Sequence, residues 1–274
     1  MNQDQLEFVT EGIRVVPVRT PTLPPATHTN VWVLGEHHVT VVDPGSPYPE
    51  EQQRLDDILE GVLVERIILT HHHADHVGGA LALKATTGAR ISAHPLTQQR
   101  IDFDVDDLLH GSEIVATDAG FWRVIHTPGH ASGHLCLHNP GNGTIVMGDM
   151  VAGIGTILID PPEGDLSLYM HSLTQLRGLN PRRLLPAHGP VIENAVGCLD
   201  EYVHHRTMRT DQIEALLAEA GSSTPSELAE SIYGSLVPPA FLPVAARQVL
   251  AHLLWLVSQG RAQQAGEQFR VCPQ

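Results

Sequence analysis

The sequence predicts a layered α/β domain followed by a smaller, helical one. Two observations carry this reading. Short β-branched runs alternate with stretches of helical periodicity up to about residue 195, the pattern of sheets packed against helices. Beyond that point the alternation stops, and three helical patterns follow, separated by breaks rich in Gly and Pro. The expected domains are therefore 1–195 and 196–274, and 274 residues are ample for both.

Ile13–Val18, Val31–Leu34 and Val39–Val42 read as strands, the third ended by Asp43-Pro44-Gly45. Pro49–Leu63 reads as a helix, because Leu55, Ile58, Leu59 and Val62 form one apolar stripe. Arg66–Leu69 is a short buried strand, and the His-rich stretch from Thr70 is a loop running into a helix at Val77–Thr86. Strands follow at Ala89–Ala93, Phe121–His126, Leu135–Leu137 and Thr144–Met147, then a helix at Leu166–Leu179 and a strand at Arg183–Leu185. In the second domain, Leu199–Ala220, Pro225–Tyr233 and Pro243–Gln259 read as helices, and Thr224-Pro225-Ser226-Glu227 spells a capping box. Gln268–Cys272 is a strand able to form a β-ribbon with the segment before it, which completes a winged-helix pattern.

Composition narrows the function. The net charge of −15 repels nucleic acid and anionic lipid. Over residues 200–274 five Arg face eight acidic residues, so no DNA-reading surface is expected. Three scattered cysteines without a CxxC fit a reducing compartment rather than a disulfide framework. Met1-Asn2-Gln3-Asp4-Gln5 lacks a basic and then apolar leader, and the weakly charged stretch from Thr144 to Ile159 is too short to span a membrane. The expectation is a cytoplasmic protein with no membrane contact.

Histidine is the anomaly: 18 His outnumber 16 Lys plus Arg. One segment, His71-x-His73-x-Asp75-His76, dominates. At a strand end His71 and His73 can point the same way, while Asp75 and His76 face a second point close by. Two adjacent groups of N and O donors suit a metal such as zinc. Further donors stand at the ends of apolar runs: His130 and His134 in the Pro128-Gly129-His130-Ala131-Ser132-Gly133-His134 segment, Asp149 after Gly148, and His188 in Pro186-Ala187-His188-Gly189. A rigid sheet positions such loops. His72, between two ligand candidates, is expected to point away, and His94 to serve its strand end.

These motifs resemble the metallo-β-lactamase superfamily over about residues 10–195, which implies a four-layer αββα sandwich. Tyr169–Leu176, Pro186–Pro190, His205-Arg206 and the helical tail are similar to the lactamase-β-2-like branch, with its C-terminal winged-helix domain. The resemblance implies that His71, His73 and His130 hold one metal, that Asp75, His76 and His188 hold the other, and that Asp149 bridges them. Asp43 and His134 would support these ligands. Two Zn²⁺ per chain are implied, with iron or manganese as alternative occupants. Asp75 would orient and deprotonate a metal-bridging hydroxide, making hydrolysis the expected reaction.

A small ester or thioester ranks first as substrate, because 4% aromatic content and strong negative charge suit RNA poorly. Single-stranded RNA hydrolysis ranks second, and a mononuclear iron dioxygenase of the persulfide-oxidising kind third. β-Lactamases proper lack the bridging aspartate, and DNA binding ranks last. The Leu250, Leu253, Leu254 and Val257 stripe is expected to pack on the sandwich beside the site mouth, with His205 and Arg206 as contacts for an anionic substrate group.

Overall fold

The computed structural model describes residues 7–273. Seven strands build the first sheet in chain order: β1 (Glu7–Thr10), β2 (Ile13–Arg19), β3 (His28–Leu34), β4 (His38–Val42), β5 (Leu63–Ile68), β6 (Arg90–Ala93) and β7 (Asp107–Leu108). Pairing is antiparallel up to β4 and parallel from β4 onward. The parallel strands need crossovers. These are α1 (Pro49–Ile58), α2 (Ala74–Val77) with α3 (Ala80–Thr87), and α4 (Pro95–Gln98).

The second sheet holds β8 (Ile114–Thr117), β9 (Gly120–His126), β10 (Leu135–Asn139), β11 (Thr144–Gly148) and β12 (Arg183–Pro186), in the order β12-β11-β10-β9-β8. Only β11 and β12 pair in parallel; α5 (Leu166–Gly178) lies between them in sequence. Alternation along the strands sorts the core. Val16, Val18, Val31, Val33, Val39 and Val41 pack on Leu55 of α1 and Leu83 of α3. Ile13, Val15, Trp32, Leu34, Val42 and Ile68 point the other way, onto Trp122, Leu135, Val146 and Leu185 of the second sheet. Burial on both faces explains why β3 and β4 read as nearly unbroken apolar runs.

The chain divides into two units, and the division does not follow the sequence linearly. The first takes residues up to 128, 133–157 and 179–196. The second takes 129–132, 158–178 and everything from 197. In the second unit α6 (Ala195–Ala220, from Gly197), α7 (Pro225–Tyr233), α8 (Leu242–Ser258) and the ribbon of β13 (Ala262–Ala265) with β14 (Gln268–Val271) enclose Ile213, Leu217, Leu228, Val249, Leu253, Leu256 and Phe269. α5 also belongs to this unit.

Two expectations need correction. The helix expected over Pro49–Leu63 stops at Ile58, because Gly61 adopts φ +85° and Leu63 already opens β5. The apolar stripe of α8 finds its core inside its own unit. Its centre is Val249, Leu253 and Leu256, with Leu250, Leu254 and Val257 packed around the same core of α6 and α7. The stretch Pro239–Ser258 is long and apolar enough to cross a membrane by length and composition, and its most buried residues belong to this core. Strands β1 and β8 escaped the sequence reading because each turns only one or two apolar side chains inward.

The capping box is formed in full: Thr224 Oγ1 accepts the Glu227 N–H, and the Glu227 carboxylate accepts the Thr224 N–H. Thr224→Ala should therefore lower stability by roughly 0.5–2 kcal/mol in denaturant titrations that follow helicity.

Candidate metal centre

Both sheets end their parallel pairs at the same place. Asp43 follows β4, Leu69-Thr70-His71 follows β5, Asp149 follows β11 and Ala187-His188 follows β12. The sheets are joined here by main-chain bonds, Leu135 N–H to Thr70 O at 2.8 Å and Asn30 N–H to Ala187 O at 2.7 Å. The Asn30 side chain adds bonds to Pro186 O and Gly189 O.

Asp43 organises the first cluster. It sits at φ +53°, a conformation that Asp tolerates better than most residues. Oδ1 accepts the Thr70 N–H at 2.8 Å; Oδ2 accepts the Thr70 hydroxyl at 2.6 Å and His76 Nδ1–H at 2.8 Å. With its hydrogen directed at Asp43, the Thr70 oxygen is free to accept from His71 Nδ1, 3.0 Å away. His71 and His76 therefore hold a hydrogen on Nδ1 and turn Nε2 inward. His188 does the same by donating Nδ1–H to His28 O at 2.9 Å, and His130 by donating to Leu158 O at 2.7 Å. Fixing one ring nitrogen so that the other can bind a cation is how proteins prepare histidine ligands.

Atoms of His71, His73, His130 and Asp149 that can bind metal lie within 4.8 Å of one another, and those of Asp75, His76 and His188 form a second such group. Asp149 also reaches the second group: its Oδ1 is 3.6 Å from His76 Nε2 and 3.5 Å from His188 Nε2. Asp75 Oδ2 stands 3.5 Å from His188 Nε2 and 3.9 Å from His76 Nε2. Donors bound at 2.0–2.1 Å around a tetrahedral ion are about 3.4 Å apart, so these spacings fit a small cation. His76 Nε2, fully buried, makes no hydrogen bond. A buried polar atom of that kind calls for a partner, and a metal ion supplies one.

Electrostatics agree. Burial alone would lower the His76 pKa, yet Asp43, Asp149 and Asp75 raise it well above the ordinary histidine value. His188 is raised too, its burial outweighed by the bond to Asp75 and the charge of Asp149. Burial would raise the Asp75 carboxyl, but His76 and His188 hold it well below the usual carboxylate range. A field that attracts protons this strongly attracts cations.

Close backbone approach completes the cluster. A Cβ on Gly45 would lie 1.8 Å from Asp75 O, and one on Gly79 would lie 2.4 Å from Pro44 O, so the Asp43-Pro44-Gly45 turn seats against α2 only as glycine. His134 accepts the Asp149 N–H on Nε2 at 3.0 Å and donates from Nδ1 to Thr127 Oγ1 at 2.8 Å. It thus aims the Asp149 turn and has no nitrogen left for a metal. Thr70, Gly45 and Thr127 had no assigned role in the sequence, although the Asp-Pro-Gly turn and the Thr preceding His71 were visible signals.

His72 belongs to neither group. His94 accepts the Leu96 N–H as the cap of α4 and stacks on His126 at 4.1 Å. Burial, then His126 and His110, bring its pKa down to about 4. His205 and Arg206 lie on α6. Arg206 is buried, its guanidinium 5.4 Å from the centre of the Tyr169 ring, whereas His205 is exposed.

Two measurements check the arrangement. Asp43→Asn should weaken metal binding about 10–100-fold, the usual effect of losing a ligand's hydrogen-bond partner, and Gly45→Ala should weaken it by displacing Asp75. Because His76 and His188 hold protons above the ordinary histidine range, metal binding at pH 7 should release protons, seen as a calorimetric enthalpy that varies with buffer ionisation heat. Affinity should rise with pH.

Comparison with known proteins identifies the family. Residues 24–188 match the family model of the metallo-beta-lactamase superfamily, and residues 224–270 match the beta-lactamase associated winged helix domain. The chain is 30% identical over 263 residues to the beta-lactamase-like protein 2 homolog of Drosophila melanogaster, covering 89% of this chain and 88% of that protein. It is 30% identical over 245 residues to the lactamase-like protein aptB of Emericella nidulans, covering 85% and 76%. A beta-lactamase domain protein from Burkholderia ambifaria shares the fold, with a TM-score of 0.87 at 20% identity over 99% of this chain and 94% of that one. A metallo-beta-lactamase family protein from Thermus thermophilus gives 0.81 at 22% identity over 97% and 100%. The chain belongs to the metallo-beta-lactamase superfamily and carries the beta-lactamase associated winged helix domain at its C-terminal end.

Proposed function

We propose that the chain is a binuclear metal-dependent hydrolase acting on a small ester or thioester. One observation carries the binuclear part: Asp149 stands with His71, His73 and His130 in one donor group, and its Oδ1 is within 3.6 Å of both inward nitrogens of the other. His71, His73 and His130 would hold one ion, Asp75, His76 and His188 the second, and Asp149 both. When bound, divalent ions supply Lewis acidity and lower the pKa of water from 15.7 to about 7.

The protein's own residues do the positioning. Asp43, Thr70 and the carbonyls of His28 and Leu158 lock the imidazoles, so little reorganisation remains at the moment of reaction. Asp75, kept ionised by His76 and His188, accepts a hydrogen bond from the attacking water and directs its lone pair at the carbonyl. With its pKa so far down, it passes a proton on rather than storing it. Zinc suits this set of imidazoles and carboxylates, as iron and manganese also do.

Support for an ester or thioester over RNA is the charge of −15 and the 4% aromatic content, which provide neither a cationic groove nor a stacking platform. The test is metal analysis followed by a turnover panel of thioesters, lactones, a phosphodiester reporter and single-stranded RNA. Expected are two zinc ions per chain, ester or thioester turnover abolished by chelation and restored by zinc, and loss of metal and rate in Asp149→Ala. RNA cleavage without ester turnover would replace the substrate assignment, and one iron per chain with oxygen uptake would replace the reaction.

A further inference from the structure

His71, His76 and His188 are oriented from β3 or from the turns that follow β4 and β5. Asp43 and Thr70 hold the first two, and the His28 carbonyl holds the third. His130 is held differently. Its Nδ1–H is taken by Leu158 O at 2.7 Å, and Leu158 belongs to neither strand nor helix but to the segment between β11 and α5.

The next link lies on α8. Gln248 Oε1 accepts the Ile159 N–H at 3.0 Å, and Gln248 Nε2 donates to Ile159 O at 3.1 Å. The Ile159 N–H and the Leu158 carbonyl belong to one planar peptide group and point in opposite directions, so holding the N–H aims the carbonyl. The chain thus runs from His130 Nδ1–H to Leu158 O, through one rigid plane, to Gln248 Oε1. Each bond strengthens the next. A peptide that donates its N–H accepts better at its oxygen, and a better acceptor makes the imidazole a stronger ligand at Nε2.

Ile159 is fully buried, and both its main-chain groups bond to Gln248. Exchanging the amide oxygen and nitrogen would set donor against donor, so the carboxamide has one orientation. Without it, a buried N–H and C=O are stranded, or the segment turns toward water and takes the Leu158 carbonyl with it. Arg247 steadies the same segment further on, at Asp160 and Pro161 O, without touching this peptide plane. The residues flanking His130 are fastened within the same unit: Gly129 O accepts the Asp165 N–H, and Ser132 donates to Glu163.

We infer that Gln248 is a positioning residue of the metal centre, fixing the His130 ring through the Leu158–Ile159 peptide and so setting the affinity of the group formed by His71, His73, His130 and Asp149. The inference rests on the binuclear reading above. It adds that a residue of the winged-helix domain controls one of the two ion sites and not the other.

The test uses the full-length, zinc-loaded chain. Gln248→Met keeps helix propensity and approximate volume while removing both bonds. Competition titrations against a chelator should show one zinc ion bound about tenfold more weakly and the other unchanged within about twofold. His130→Ala should weaken the same ion, and adding Gln248→Met to it should change zinc affinity by less than about twofold, because the two residues act in series. In NMR spectra of protein with isotope-labelled histidine, the His130 Nδ1–H resonance, identified by its loss in His130→Ala, should move upfield in Gln248→Met. Arg247→Ala, which loosens the segment alone, should lower the melting temperature and leave both zinc affinities within about twofold. If circular dichroism shows that Gln248→Met fails to fold, Gln248→Ala takes its place. Equal weakening of both ions, equal weakening by Arg247→Ala, or an unmoved His130 resonance would overturn the role of Gln248 and leave the binuclear reading standing. A wild-type chain that binds a single zinc ion would overturn the binuclear reading; weakening of that ion by Gln248→Met, absent in the His130→Ala background, would still uphold the role of Gln248.

Discussion

The Asp43 carboxylate is the point on which the centre depends. Three hydrogen bonds converge on it, two from Thr70 and one from His76, and through the Thr70 oxygen it also fixes His71. One buried anion thereby decides the tautomer of two imidazoles belonging to different donor groups. Its left-handed backbone places the side chain there, and the parallel registration of β4 with β5 brings Thr70 to meet it. Remove the carboxylate, and both rings lose the constraint that turns their lone pairs inward.

The rest of the architecture serves that arrangement by close approach. Parallel strand pairs in the two sheets end at one edge, and main-chain bonds from Leu135 and Asn30 hold the sheets in step there. Gly45, Gly78 and Gly79 let the β4 turn touch the backbone of α2. Gly148, at φ +48°, lets the Asp149 turn lie against His134 and Thr70. These contacts leave no room for a side chain, so the precision of the donor set comes from backbone packing as much as from the donors themselves.

Much of this was legible in the sequence, because strand-end donors announce themselves: His71, His73, Asp75, His76, His130, Asp149 and His188 all follow or flank apolar runs. Of these the structure draws His71, His73, His130 and Asp149 into one group and Asp75, His76 and His188 into another. Thr70 was not legible as a relay, since its role depends on the registration of β4 against β5, a contact between strands separated by α1. His134 was legible only as a support; that it accepts from the Asp149 backbone follows from tertiary placement. The extent of α1 and the strand β8 were lost for a local reason. Periodicity runs on through Leu59 and Val62 although the chain has already turned at Gly61, and β8 has too few inward side chains to alternate visibly.

The unit boundary bears on how this chain could have been assembled or could be divided. α5 and its preceding loop are held within the second unit: Arg247 bonds to Asp160 and Pro161 O, Gln248 clasps Ile159 through both main-chain groups, Arg177 pairs with Asp200, and Arg206 covers Tyr169. The Leu158 carbonyl that orients His130 belongs to the same unit. A chain ending near residue 195 would keep every histidine and aspartate of the donor groups, yet it would lose the partners of Asp160, Ile159, Arg177 and Tyr169. The C-terminal helices thus share one packed unit with α5 and the loop before it. Truncation at the apparent sequence boundary would leave every candidate donor in the chain, with α5 and the loop before it stripped of their partners.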